Sequence, residues 1–141
     1  MALLGVYVTY SLNQRAVRRE RRSKTFAEAL TAVEEYLEMP YRIRRRMNSA
    51  EARRELTDEV SSILARMAFH QAWLQIEASS VAGPYATLVA TARAEAGVQM
   101  SEAWQQSPIT SDGGMNLGAA YPRVRSDEAR ALCIDAMRRH L

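Results

Sequence analysis

The sequence predicts an all-α protein, a single helical-bundle domain of about four helices, and three observations predict it. Apolar residues recur at steps of three and four over long stretches, the spacing of one helical face. Most of the glycines and prolines are held back to the span between Gly83 and Pro122, so long helices should dominate early. The chain has 141 residues, 48% hydrophobic and 25% charged, which suits one core and argues against disorder over most of its length. The helices are expected at 13–38, 49–77, 81–105 and 126–140, with the second at the centre.

Residues 1–12 form an apolar N-terminal segment ahead of the helical domain, 13–141. Ala2 to Leu12 read ALLGVYVTYSL and lead directly into Arg15, Arg18, Arg19, Arg21, Arg22 and Lys24. A spanning helix needs roughly 17–25 apolar residues, so this run alone cannot cross a bilayer. It also lacks the basic start and small-residue cleavage site of a secretory signal. Apolar followed by basic is the order of the trailing half of a transmembrane helix, with Tyr7 and Tyr10 at the interface and the arginines on the cytoplasmic side. On that reading the segment is the remnant of an anchor, and roughly ten further apolar residues would be encoded upstream. The competing readings are a core helix segment or, from Val6, Tyr7, Val8 and Thr9, a short strand.

The first helix of the domain shows Phe26, Leu30, Val33 and Leu37 on one face, and Pro40 is expected to stop or kink it. Arg42, Arg44, Arg45 and Arg46 follow as a second basic block. In the second helix Asn48 is expected to cap, with Glu51 reaching back, and Leu56, Val60, Ile63, Met67, His70 and Leu74 form the seam. A reversal at residues 78–84 offers Ser79 or Ser80 as cap and Pro84 in the first turn. The third helix carries Tyr85, Leu88, Val89, Ala92 and Ala96, and Gly97 weakens its middle enough to allow two pieces. After the irregular stretch 107–125, Ser126 is expected to cap a last helix whose buried stripe includes Ala129, Leu132, Cys133, Ala136 and Met137. Leu30, Val33, Leu37, Leu56, Val60, Ile63, Met67, Leu74, Leu88, Leu132 and Met137 should therefore be buried.

Little in the chain has the pattern of catalytic or metal chemistry. His70 falls on the apolar seam with no HExxH or Glu-x-x-His motif around it, which suits a core histidine. Two histidines and one cysteine do not make a usual structural zinc site, and a lone cysteine forms no internal disulfide. Asp112-Gly113-Gly114 lacks the lysine and preceding strand of a phosphate loop and is read as an ordinary turn. Cys133 is read as a buried, inert thiol. No catalytic, cofactor-binding or metal-binding residue is assigned, and no cofactor is expected.

The net charge is +3 and the pI about 9.3, but 18 of the 19 basic residues are arginines and many lie in the two blocks. Nucleic acid could use those blocks with Tyr10 or Tyr41 stacking. Against this, the second and last helices present no basic face, and Glu28, Glu34, Glu35 and Glu38 alternate with the blocks. Local Glu–Arg pairing and, for the first block, contact with anionic lipid are the alternatives.

The layout of an apolar start, an Arg-rich junction and a helical remainder resembles that of single-pass bacterial proteins. The expected function is a non-enzymatic helical interaction or scaffold protein. Residues 1–24 would meet a membrane surface or form an anchor, with the domain on the cytoplasmic side of the plasma membrane and its helical faces open to a protein partner or a second copy. Two other readings stay open: nucleic-acid binding through the arginine blocks, and a soluble cytoplasmic small-ligand binder or enzyme using the 107–125 loop. In the loop reading Trp104, Asp112, Asn116, Tyr121 and Arg123 would line the site.

Overall fold

The structure, a computed structural model, describes residues 2–115, 118 and 120–141. Helix α1 spans Ala2–Arg44, α2 Ala50–Glu77, α3 Ser79–Gln105 and α4 Val124–His140, with one 3-10 turn at Asp112–Gly114. The all-α bundle read from the periodicity is the architecture. Among the described residues there is no strand, only an isolated bridge that ties Met47 to Ile109.

Contacts between named residues give the directions of the helices. Arg42 pairs with Glu59 at 3.3 Å, Arg66 with Glu35, and the Phe26 ring meets Trp73 edge-on at 6.3 Å, so α1 and α2 run antiparallel. The Tyr85 hydroxyl donates to the Ala29 carbonyl at 2.9 Å and Arg46 donates to that of Ala103 at 3.0 Å, which makes α1 and α3 parallel. Gln99 bonds to the Pro122 carbonyl and Ser80 lies 3.1 Å from His140 Nδ1, so α4 returns antiparallel to α3. The bundle therefore has two ends: one holds the α1–α2 and α3–α4 connections, the other the α2–α3 turn and the last residues of α4.

The centre is α3 rather than α2, because α3 packs against all three other helices while α2 rests mainly on α1 and α3. Small residues decide this. Ala92, Ala96 and Ala103 are fully buried beside Val81, Tyr85 and Leu88, and a small side chain lets a neighbouring helix approach on each flank. Gly97 does not divide α3, which is continuous from Ser79 to Gln105. Neither Ser79 nor Ser80 caps it: one residue, Ala78, ends α2 by donating to the Leu74 carbonyl and starts α3, and Pro84 lies beyond the first turn.

Helix boundaries depart from the sequence reading at both ends of α1 and at the starts of α2 and α4. The first helix was expected from 13 to 38, yet α1 starts at Ala2 and continues through Pro40, so residues 2–12 are helix and not strand. Pro40 removes one helical donor, but it is buried between Met39 and Ile43, both fully buried, and this packing holds the final turn in helical form. Ser49, not Asn48, caps α2, its hydroxyl accepting from the Ala52 amide at 3.1 Å. At α4 the helix starts at Val124, and Ser126 lies inside it with its hydroxyl donating to Glu95 at 2.7 Å. The Glu95 carboxylate also accepts from the Arg125 and Ser126 amides at 2.9 and 3.1 Å, so the cap comes from the neighbouring helix.

The core holds Val33, Leu37, Leu56, Ile63, Met67, Leu74, Leu88 and Met137 as expected. Leu30 and Val60 are half-buried at its edge. Leu132 is 66% exposed, because α4 packs through Ser126, Ala129, Cys133, Ala136 and Met137 and turns Leu132 outward.

Candidate functional site

About 43 residues at 1.5 Å each make α1 roughly 65 Å long, some 20 Å longer than α2, and the excess lies at its N-terminal end. No described residue before Phe26 is buried. Leu3, Leu4, Val6, Tyr7, Val8, Tyr10 and Leu12 are all exposed, Leu3 to 87%. At about 100° per residue they cover most of the helix circumference, leaving one strip of Ala2, Gly5, Thr9 and Asn13. The Thr9 hydroxyl donates back to the Gly5 carbonyl at 2.9 Å, so even this strip has its hydroxyl satisfied within the helix. Exposed apolar surface of this extent marks a contact surface rather than ordinary solvent-facing helix.

The basic cluster Arg15–Lys24 follows at the point where the arm joins the bundle. Among the described residues none of its six cations makes an ion pair with a carboxylate. The antiparallel return of α4 brings Arg138 and Arg139 to the same end. His140 stacks edge-on against Phe26 at 5.8 Å, and Leu141 lines a depression with Arg15, Arg18, Arg19 and Arg22. Arg138 and Arg139, in the last turn of α4, complement its dipole, and nothing in sequence spacing could show that this turn returns to the end of the bundle where α1 carries its first basic block. Trp73 and Glu77 also reach this end, where they meet Arg18, Arg21, Arg22 and Lys24 across an open cleft.

The second basic block is occupied within the molecule. Arg42 pairs with Glu59 and Arg45 with Glu38 at 3.1 Å, exposed contacts worth about 0–1 kcal/mol each. Arg44 reaches the Tyr121 hydroxyl at 3.5 Å. Arg46 is buried and its guanidinium lies 4.9 Å from the Trp104 ring centre.

Among the described residues, those named for the loop reading each have their own neighbours. Trp104 packs under Arg46, Tyr121 stacks edge-on with Tyr41 at 4.9 Å, and Asp112 is exposed in the 3-10 turn. Arg123 forks onto the two oxygens of Glu34 at 2.7 and 2.9 Å, with its Nε on Asp127 at 2.8 Å. Asn116 lies outside the described residues. The Cys133 thiol is fully buried, and burial pushes its pKa up to about 11. Among the described residues no group of three or more His, Cys, Asp or Glu is placed to hold a metal ion.

Two titrating groups couple stability to pH. Burial holds the His70 pKa below its ordinary value, with Glu28 pulling the other way, and its Nδ1 has no hydrogen-bond partner. The unfolded state therefore takes up a proton first, and stability should fall as pH drops below about 6.5. Glu34 is held below the ordinary carboxylate value, chiefly by its bonds to Arg123, and the stability it contributes is lost on further acidification below about 4.5. Urea unfolding followed from pH 8 to pH 3 (roughly the range both groups span) should show both declines. His70→Gln should flatten the first and Glu34→Gln the second; an unchanged pH profile in both variants would refute the assignment.

No helix among the described residues is long and apolar enough to cross a membrane. No family model matches the chain, and neither a curated protein nor a solved structure does.

Proposed function

We propose that this protein is a non-enzymatic helical scaffold that works at the cytoplasmic face of a membrane, using the first 24 residues of α1 as its membrane contact and the bundle to meet a partner protein. The observation that carries the reading is the exposed apolar arm continuous with a basic cluster whose cations find no carboxylate partner among the described residues. The eleven residues from Ala2 to Leu12 extend about 16 Å, close to the depth of one leaflet of a roughly 30 Å hydrocarbon core. Each buried Leu or Val contributes about 1.5–3 kcal/mol, and each basic residue near an anionic surface about 1 kcal/mol. Insertion and attraction together outweigh either alone. The second arginine block supports the same reading indirectly, since its residues are spent on contacts within the bundle, whereas those of the first find no carboxylate among the described residues.

Sedimentation with vesicles tests this. The chain should pellet with vesicles containing phosphatidylglycerol, more completely at low salt than at high salt, and retain part of its binding at high salt through the arm. Removing residues 1–12 should abolish the salt-resistant part. Changing Arg15, Arg18, Arg19, Arg21, Arg22 and Lys24 to glutamine should abolish the salt-sensitive part. A chain that stays in the supernatant with anionic vesicles at low salt would rule the reading out.

A further inference from the structure

We propose that the cleft between α1 and the C-terminal end of α2 is a binding site for a phosphate monoester carried on a hydroxylated group, of the kind found in phosphorylated polyol headgroups. The open cleft has a volume of about 620 Å³, within the range of small-ligand sites. It exists because α1 continues past Glu77, where α2 stops, and leaves one flank of its own surface open.

The lining has three chemistries. Arg18, Arg21, Arg22 and Lys24 supply four cations within about two turns of α1, none of them in an ion pair among the described residues. Arginine forks suit phosphate oxygens because they offer paired, planar donors. Glu28 and Glu77 line the same cleft and leave it a formal charge of +2. A phosphate monoester carries about −1.5 to −2 at neutral pH and matches that charge, whereas a diester, with one charge, does not. The two carboxylates would repel a bare anion but accept hydrogen bonds from hydroxyls on the group that bears the phosphate. Trp73 provides the remaining wall, its ring held edge-on by Phe26, and offers an apolar face to the ring or chain of a polyol.

Arg21 lies nine residues beyond Leu12, about 14 Å along the helix, so an inserted arm would hold the cleft just outside the bilayer surface. The site shares its cations with the membrane reading, which bears on the source of the ligand, and the two fail separately. The same chemistry is met by a lipid headgroup or by a soluble polyol phosphate.

The full chain titrated with inositol monophosphate, followed by the Trp73 indole and arginine Nε signals in proton–nitrogen correlation spectra, tests the site. The expected result is a saturable shift confined to Trp73 and the arginines at 18–22, stronger than with inorganic phosphate and absent with inositol. Arg21→Gln and Arg22→Gln should each weaken it roughly tenfold, the loss expected for one charge-assisted pair, while Arg42→Gln and Arg45→Gln leave it unchanged. Vesicles carrying a phosphatidylinositol monophosphate or phosphatidylglycerol at equal surface charge then separate the sources. Preference for the former supports the site with a lipid ligand; binding of free inositol monophosphate without that preference supports it with a soluble one. If neither appears, or if shifts spread over all arginines and survive both Arg21→Gln and Arg22→Gln, the site is overturned, and salt-resistant vesicle binding through the arm would still stand. Free binding without any vesicle binding would support the site and overturn the membrane reading.

Discussion

Arg46→Ala is expected to lower the unfolding free energy by about 3–5 kcal/mol, more than any other single polar substitution in the bundle. Arg46 is only 7% exposed, and its guanidinium donates to four backbone carbonyls: Ile43 at 2.9 Å, Ala103 at 3.0 Å, Trp104 at 3.2 Å and Gln106 at 2.7 Å. Those carbonyls lie at the ends of α1 and α3, where the last turn of a helix runs short of amides; the Ile43 and Ala103 carbonyls also accept from the Arg46 and Gln106 amides at 3.2 and 3.3 Å. One planar side chain therefore closes two helix C-termini at once, and its own carbonyl accepts from the Ile109 amide at 3.2 Å. Alanine would take the guanidinium donors from the Trp104 and Gln106 carbonyls, leave those of Ile43 and Ala103 with their backbone amides alone, and strip the cation from the Trp104 face. Arg46→Lys should recover only part of the loss, since an ammonium cannot span four acceptors in one plane. Urea unfolding measures both; a loss under about 1 kcal/mol for Arg46→Ala would show that water replaces the guanidinium without cost.

Ile63→Ala should destabilise the protein by about 2–5 kcal/mol, with Leu74→Ala in the same range. Both side chains are completely buried and belong to the face of α2 that also buries Met67. The loss combines the transfer term with the cavity left between helices that relax only partly. Leu132→Ala makes the control: it removes the same atoms as Leu74→Ala from a side chain that faces solvent, and should change stability by no more than about 0.5 kcal/mol. Comparable losses for Leu74→Ala and Leu132→Ala would mean that the packing of α4 or of α2 has been misread.

Periodicity made the helices legible because burial imposes it. Ile63, Met67 and Leu74 could be assigned to the core from spacing alone, since each helix must hide one stripe whichever partner covers it. Leu132 shows where that inference stops. The stripe of α4 passes through Ala129, Cys133, Ala136 and Met137, and Leu132, about 100° round the helix from Cys133, lies outside it. Helix ends were harder to read for a related reason. Ser126 has the right residue type for a cap, but the Glu95 carboxylate on α3 serves the α4 amides instead, and a distant residue leaves no trace in local sequence.

By itself, the sequence determined that the chain is all-α, that its helices bury particular stripes, and that an apolar segment meets a basic cluster near its start. These are local properties, set by side-chain spacing and by order along the chain. The tertiary structure alone decided which helix is central, that α1 persists through Pro40, and that the two arginine blocks have different fates. The physical reason is the direction of the helices. Running α2 antiparallel to α1 carries Glu59 to the second block and Trp73 to the first, and the parallel run of α3 brings its C-terminus to Arg46; with Arg45 held by Glu38 of α1 itself, the second block is satisfied within the bundle while the first lies beside an exposed apolar arm.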